Sequence, residues 1–112
     1  MKTAERVARN DATFRKGNEA IEATATALGV EVVPFVCECA DESCTKLILL
    51  RLEEYEAIRS DPTHFLNAVG HQTAAGPYGR VVERHDRYVV VEKLGPAAEI
   101  VAELDERASA DV

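Results

Sequence analysis

Residues 30–50 read VEVVPFVCECADESCTKLILL, and this stretch decides the fold. Its first half is rich in β-branched and aromatic residues, which predicts a strand over Val30–Cys39. Pro34 lies inside that strand and has no amide to donate, so the strand belongs at an edge or carries a bulge. Ala40-Asp41-Glu42-Ser43 has turn composition, and Thr45–Leu50 (TKLILL) predicts a second, largely buried strand. The pair forms a hairpin with Cys37, Cys39 and Cys44 at its tip. Cys37 and Cys39 stand two apart on a strand, so their side chains leave it on the same side. The turn returns Cys44 to the same place. Three sulfurs can meet with little chain to close and little loop entropy to lose.

Outward from the hairpin, helical and strand patterns alternate with clear breaks. On the N-terminal side, Asn10 or Asp11 can cap a helix with an apolar stripe at Phe14, Ile21, Ala25 and Leu28, ending near Gly29. Asn18 falls in that stripe, where a buried amide most simply fixes backbone. On the C-terminal side, Leu52–Arg59 predicts a helix with Leu52, Tyr55 and Ile58 on one face. Asp61-Pro62 predicts a short capped turn through His64, and Phe65–Val69 a brief strand. Residues 70–79 (GHQTAAGPYG) read as a loop. Val81–Arg84 and Tyr88–Leu94 read as strands joined at His85-Asp86-Arg87, and Pro96 opens a last helix. The expected fold class is therefore α+β: a small antiparallel sheet of hairpins with an N-terminal helix, a short middle helix and a C-terminal helix. One domain over residues 1–112 is expected, with 1–9 and 108–112 frayed.

Bulk composition narrows the function classes. The 112 residues are 46% apolar and 29% charged, an ordinary globular balance. No apolar run approaches the ~20 residues of a membrane span, and the first ten residues lack the apolar core of a signal segment. A cytoplasmic protein without a membrane contact is the expectation. Twenty acidic against 13 basic residues give a net charge of −7, which repels a phosphate backbone and predicts no nucleic-acid partner. A protein partner or a second copy of the chain remains open.

The cysteines carry the chemical signal. Three is an odd count, and in a reducing compartment a disulfide scaffold is a poor reading. Thiolates are zinc ligands, and Cys3His is a common closed set. The candidate ligands are Cys37, Cys39, Cys44 and His71, the last because it follows Gly70 in a loop that can adapt to a metal. His64 is the second candidate and His85 the third. Glu38, Asp41 and Glu42 surround the thiols with only Lys46 as a nearby cation. Carboxylates raise thiol pKa values, so catalysis by a free thiolate is disfavoured, whereas a divalent cation reverses the penalty.

Rival readings share these residues. A reversible Cys39–Cys44 disulfide would make a thiol redox sensor, and exchange of the metal would make a metal-responsive one. Three ordinary reduced thiols need no chemistry at all. An iron–sulfur cluster on three Cys and one His usually has its His soon after the third Cys, whereas Thr45-Lys46-Leu47 follows Cys44. A zinc hydrolase would use more His and carboxylate ligands and an open position. No Ser-His-Asp order, P-loop or dinucleotide fingerprint is present. Tyr78, in the glycine-rich loop, is the tyrosine placed to meet a ligand. The reading is a small zinc-binding module, more a binding or regulatory domain than an enzyme.

The stretches NDATFRKGNEAI (10–21), VPFVCEC (33–39), Cys44, EYEAIRSDPTHF (54–65), Gly70-His71 and YVVVEKLG (88–95) resemble a family of small bacterial proteins of the actinobacterial type, to which no function is assigned. The resemblance implies that Cys37, Cys39, Cys44 and His71 form one motif set. The chain departs from the family pattern at Val69, where relatives carry Pro before Gly-His, and at Arg51, where a Thr would cap the next helix.

Overall fold

The computed structural model describes residues 3–107. The hairpin forms as the sequence requires: β1 (Val32–Val36) pairs antiparallel with β2 (Leu47–Arg51), in a register that sets Pro34 opposite Leu49 without a shift. Pro34 is tolerated because this sheet has only two strands, so its missing amide faces away from β2. β1 ends at Val36, three residues short of the expected Cys39. From there the chain leaves β2 and crosses to the other sheet, where Glu38 N–H donates to Leu66 O at 2.7 Å. β2 is half-buried rather than largely buried, with Ile48 and Leu50 inward and Leu47 and Leu49 exposed.

The second sheet has the order β3 (His64–Ala68), β5 (Tyr88–Lys93), β4 (Gly79–Arg84), all antiparallel, with a bulge between Val81 and Glu83. Ahead of β3, Asp61 Oδ1 accepts from both Thr63 N–H and Thr63 Oγ1, which makes the short turn expected at Asp61-Pro62; it ends at Thr63, and His64 opens β3. α2 (Leu52–Arg59) packs Tyr55 and Ile58 inward as its spacing predicts. Tyr55 stacks on Phe35 with ring centroids 4.4 Å apart. Arg51 provides no side-chain cap, but Glu54 accepts from its N–H at 2.9 Å and supplies half of a capping box. α3 (Gly95–Glu103) buries Ala97 and Val101. The architecture is α+β, with both sheets antiparallel.

α1 differs most from its sequence pattern. It spans Ala4–Leu28 and is capped by Thr3, whose Oγ1 accepts from Arg6 N–H, rather than by Asn10 or Asp11. Val7 and Ala8 are fully buried, so residues 4–9 are ordered helix and not a frayed lead. The expected fraying over 108–112 lies outside the described residues. Of the apolar residues in the expected stripe only Ala25 is buried, with Phe14 and Ile21 half-buried and Leu28 73% exposed. The buried face is instead Val7, Asp11, Arg15, Asn18, Glu22 and Ala25, a helical spacing occupied mostly by polar side chains.

Partners explain that inversion. Arg15 donates to Pro62 O (2.7 Å) and Val101 O (2.8 Å), and its guanidinium lies 4.7 Å from the centroid of the Phe65 ring. Asp11 pairs with Lys93, both completely buried. Glu22 meets Arg107, which also binds Glu19 and Glu56 and ties the end of the described chain to α1 and α2. A periodicity scale scores such residues as surface, whereas partners of this kind make them core.

Removing one member of a buried ion pair leaves the other charge uncompensated. Lys93→Met is expected to cost about 3–5 kcal/mol in denaturant unfolding, and the Asp11→Asn/Lys93→Met double variant to recover most of it. Additive losses in the double variant would show that the two residues do not act as a pair.

Candidate metal centre

Strand alternation positions the centre. Along Cys37-Glu38-Cys39 the two thiols face one side and the carboxylate faces the other. Glu38 is fully buried and accepts from Asn18 Nδ2 (2.9 Å), Tyr55 OH (2.6 Å) and Leu66 N–H (2.9 Å). Asn18 also clamps Val36, donating to its carbonyl and accepting from its N–H, both at 2.8 Å. This is the structural role expected for Asn18. Burial pushes the Glu38 carboxyl upward while its three donors hold it down.

Cys44 is returned by an Asx turn. Asp41 Oδ1 accepts from Ser43 N–H (2.9 Å) and Ser43 Oγ (2.7 Å), and Cys44 N–H donates to Asp41 O (3.0 Å). Cys39 is held from behind, its carbonyl accepting from Asn10 Nδ2 at 3.1 Å. Cys37 Sγ accepts from Ala68 N–H at 3.2 Å, a bond that stabilises negative charge on sulfur.

His71 arrives from the other sheet. After β3 the chain turns at Gly70, whose φ of 90° lies in the left-handed region that suits glycine. His71 then opens a 3-10 segment, His71–Tyr78, where the sequence read a plain loop. Its Nδ1 lies 3.4 Å from Cys44 Sγ, 3.7 Å from Cys37 Sγ and 3.9 Å from Cys39 Sγ. One donor atom from each of the four residues falls within 4.8 Å of every other. The structure thus brings together all four candidate ligands.

The other histidines lie elsewhere. His64 sits between Asp61 (3.4 Å) and Glu92 (3.2 Å), and His85 stacks on Tyr88 beside Glu83. Tyr78 packs against the buried cluster of Ala8 and Phe65 and takes no part in the centre.

The geometry favours an ion at the middle. A neutral imidazole nitrogen has one lone pair and accepts one proton donor, yet three sulfurs converge on it. Tetrahedral zinc, with Zn–S about 2.3 Å and Zn–N about 2.0–2.1 Å, sets sulfur and nitrogen ligands about 3.6 Å apart. The observed 3.4–3.9 Å brackets that value. The cluster can hold a metal ion.

The electrostatic ground for inert thiols needs correction. Carboxylates were expected to raise the thiol pKa values, but Glu38 faces away from the sulfurs. The thiols act on one another instead. A hydrogen bond from Cys37 lowers Cys39 to about 5, and that same bond, with burial, pushes Cys37 up. Burial pushes Cys44 up as well.

No family model, curated protein or solved structure matches the chain. Among the described residues no helix is long and apolar enough to cross a membrane.

His71→Ala is expected to weaken metal binding by at least about 100-fold, beyond the roughly 10–100-fold cost of losing a residue that only supports a ligand. His64→Ala and His85→Ala should leave binding within error. Competition titration with a chromogenic chelator measures all three, and equal losses across them would remove His71 from the set.

Proposed function

We propose that Cys37, Cys39, Cys44 and His71 hold one zinc ion in a closed tetrahedral site, and that the ion is structural. The observation that carries this reading is the convergence of three sulfurs on one ring nitrogen at 3.4–3.9 Å. Bound there, the ion would join the β1–β2 hairpin to the turn that follows β3, two segments from different sheets. The fixed cation supplies cross-linking and charge neutralisation. With four protein donors the coordination is complete, which speaks against a hydrolase needing an open position. Donors packed this closely suit a single ion; an iron–sulfur cluster would spread its ligands by its own width.

Cys37 and Cys39 are buried, which favours a retained ion over the rapid exchange that a metal sensor needs. Free thiols agree with a reducing compartment, the cytoplasm, and the net charge of −7 favours a protein partner over nucleic acid. The best-supported role is a small zinc-stabilised binding or adaptor module.

Chelation tests this reading. A site saturated a thousandfold above its Kd contributes about 4 kcal/mol of stability. At roughly 4–8 °C per kcal/mol, stripping the metal should lower Tm by about 15–30 °C, and added zinc should restore it. Because protons compete for thiolates, the loss should come with less chelator as pH falls. A metal-containing protein whose melting is indifferent to chelator would overturn the structural role.

A further inference from the structure

β2 and the strand beside it carry a surface that the fold leaves uncovered. β2 reads LILLR, apolar at four consecutive positions, the pattern of a strand covered on both faces. Here only one face is covered. Ile48 and Leu50 point into the core, while Leu47 and Leu49 stay 56% and 50% exposed. The register pairs Leu47 with Val36, Leu49 with Pro34 and Arg51 with Val32, and cross-strand partners share a face. The outer face of the hairpin is therefore Val32, Pro34, Val36, Leu47 and Leu49, with Arg51 at one corner. None of these strand positions is a carboxylate, and Asp86 and Arg87 line the cavity beside Leu47 and Leu49.

The edge of β2 is also unguarded. Cys37 N–H donates to Lys46 O (2.9 Å), which fixes the alternation along the hairpin. It turns the N–H and C=O groups of Leu47 and Leu49 away from β1, and they meet no partner among the described residues. The remaining strand edges are protected. β1 has Pro34 and the Asn18 clamp, β3 is bonded to Glu38, and β4 carries Arg80, Glu83, Arg84 and a bulge.

We infer that this outer face of the β1–β2 hairpin is an interface with a second copy of the chain, packed sheet on sheet. Charge and area select that occupant. A chain of net charge −7 meets its own copy most easily where the acidic surplus is missing, and beside this face Asp86 is outnumbered by Lys46 and Arg87. The face with its apolar margin, Val69, which lines one cavity with Leu47 and Leu49, exposes on the order of 400 Å², within the range of the largest patch a monomer leaves open. Burying it on both copies gives about 800 Å², and the flanking stems of Lys46 and Arg51 bring the total towards the roughly 1,000 Å² of a specific interface, so the dimer is a weak one. None of these residues is a candidate ligand; His71 borders the same cavity as Leu47 and Leu49, which is why the test reads metal content beside association.

Sedimentation equilibrium of the full, metal-loaded chain from micromolar to submillimolar concentration tests it. The expected result is a mass rising from 12.2 kDa towards twice that value. Leu49→Lys and Leu47→Lys, both outward-facing, should each weaken association by at least about tenfold with unchanged metal content and far-ultraviolet circular dichroism. Leu104→Lys, at the C-cap of α3 beside α1 and away from the hairpin, should associate as the unaltered chain does. A chain that stays monomeric throughout overturns the inference and leaves the face to another protein. Lysine variants that dimerise unimpaired overturn it equally.

Discussion

The buried carboxylate of Glu38 is the contact on which the rest of the structure depends. It takes hydrogen bonds from α1 through Asn18, from α2 through Tyr55 and from β3 through Leu66. A fully buried carboxylate without donors would be strongly unfavourable, so the three elements must assemble around it together. Their assembly also settles the rotation of the segment that bears it. Once Glu38 points inward, Cys37 and Cys39 must point to the opposite side, towards Cys44 and His71. The core and the candidate metal centre are two faces of the same three residues.

That arrangement explains why α1 buries a polar stripe. Asp11, Arg15, Asn18 and Glu22 each reach a partner that lies far away in sequence, on β5, the loop before β3, the Cys-Glu-Cys segment or at Arg107. Interactions of this kind define one arrangement of elements more sharply than an apolar face, which can slide. Their cost is a dependence on complete pairing, and Asp11 shows it. Its burial pushes the carboxyl up to about 7 against the opposing pull of Lys93.

The sequence was legible where chemistry is local. Strand alternation placed Cys37 and Cys39 on one side, the turn residues returned Cys44, and Gly70-His71 offered a ligand on an adaptable backbone. The hairpin, α2 and the β4–β5 pair follow from composition and turn chemistry alone. The start and buried face of α1 were not legible, because its polar residues acquire partners only in the folded chain. The same period-two alternation that set the cysteines could have turned Glu38 inward. Reading it as one of a group of acidic neighbours assigned the thiols a repulsion that the fold removes. The apolar run of β2 suggested a buried strand, and the structure covers only half of it. Sequence pattern reports that a face is apolar and is silent on what covers it.

X-ray absorption at the zinc edge, on protein purified without chelator, tests the central claim most directly. The account expects about one zinc per chain, with three sulfur scatterers at about 2.3 Å and one nitrogen at about 2.0–2.1 Å. A coordination shell of nitrogen and oxygen alone, or protein that retains no metal, would contradict it.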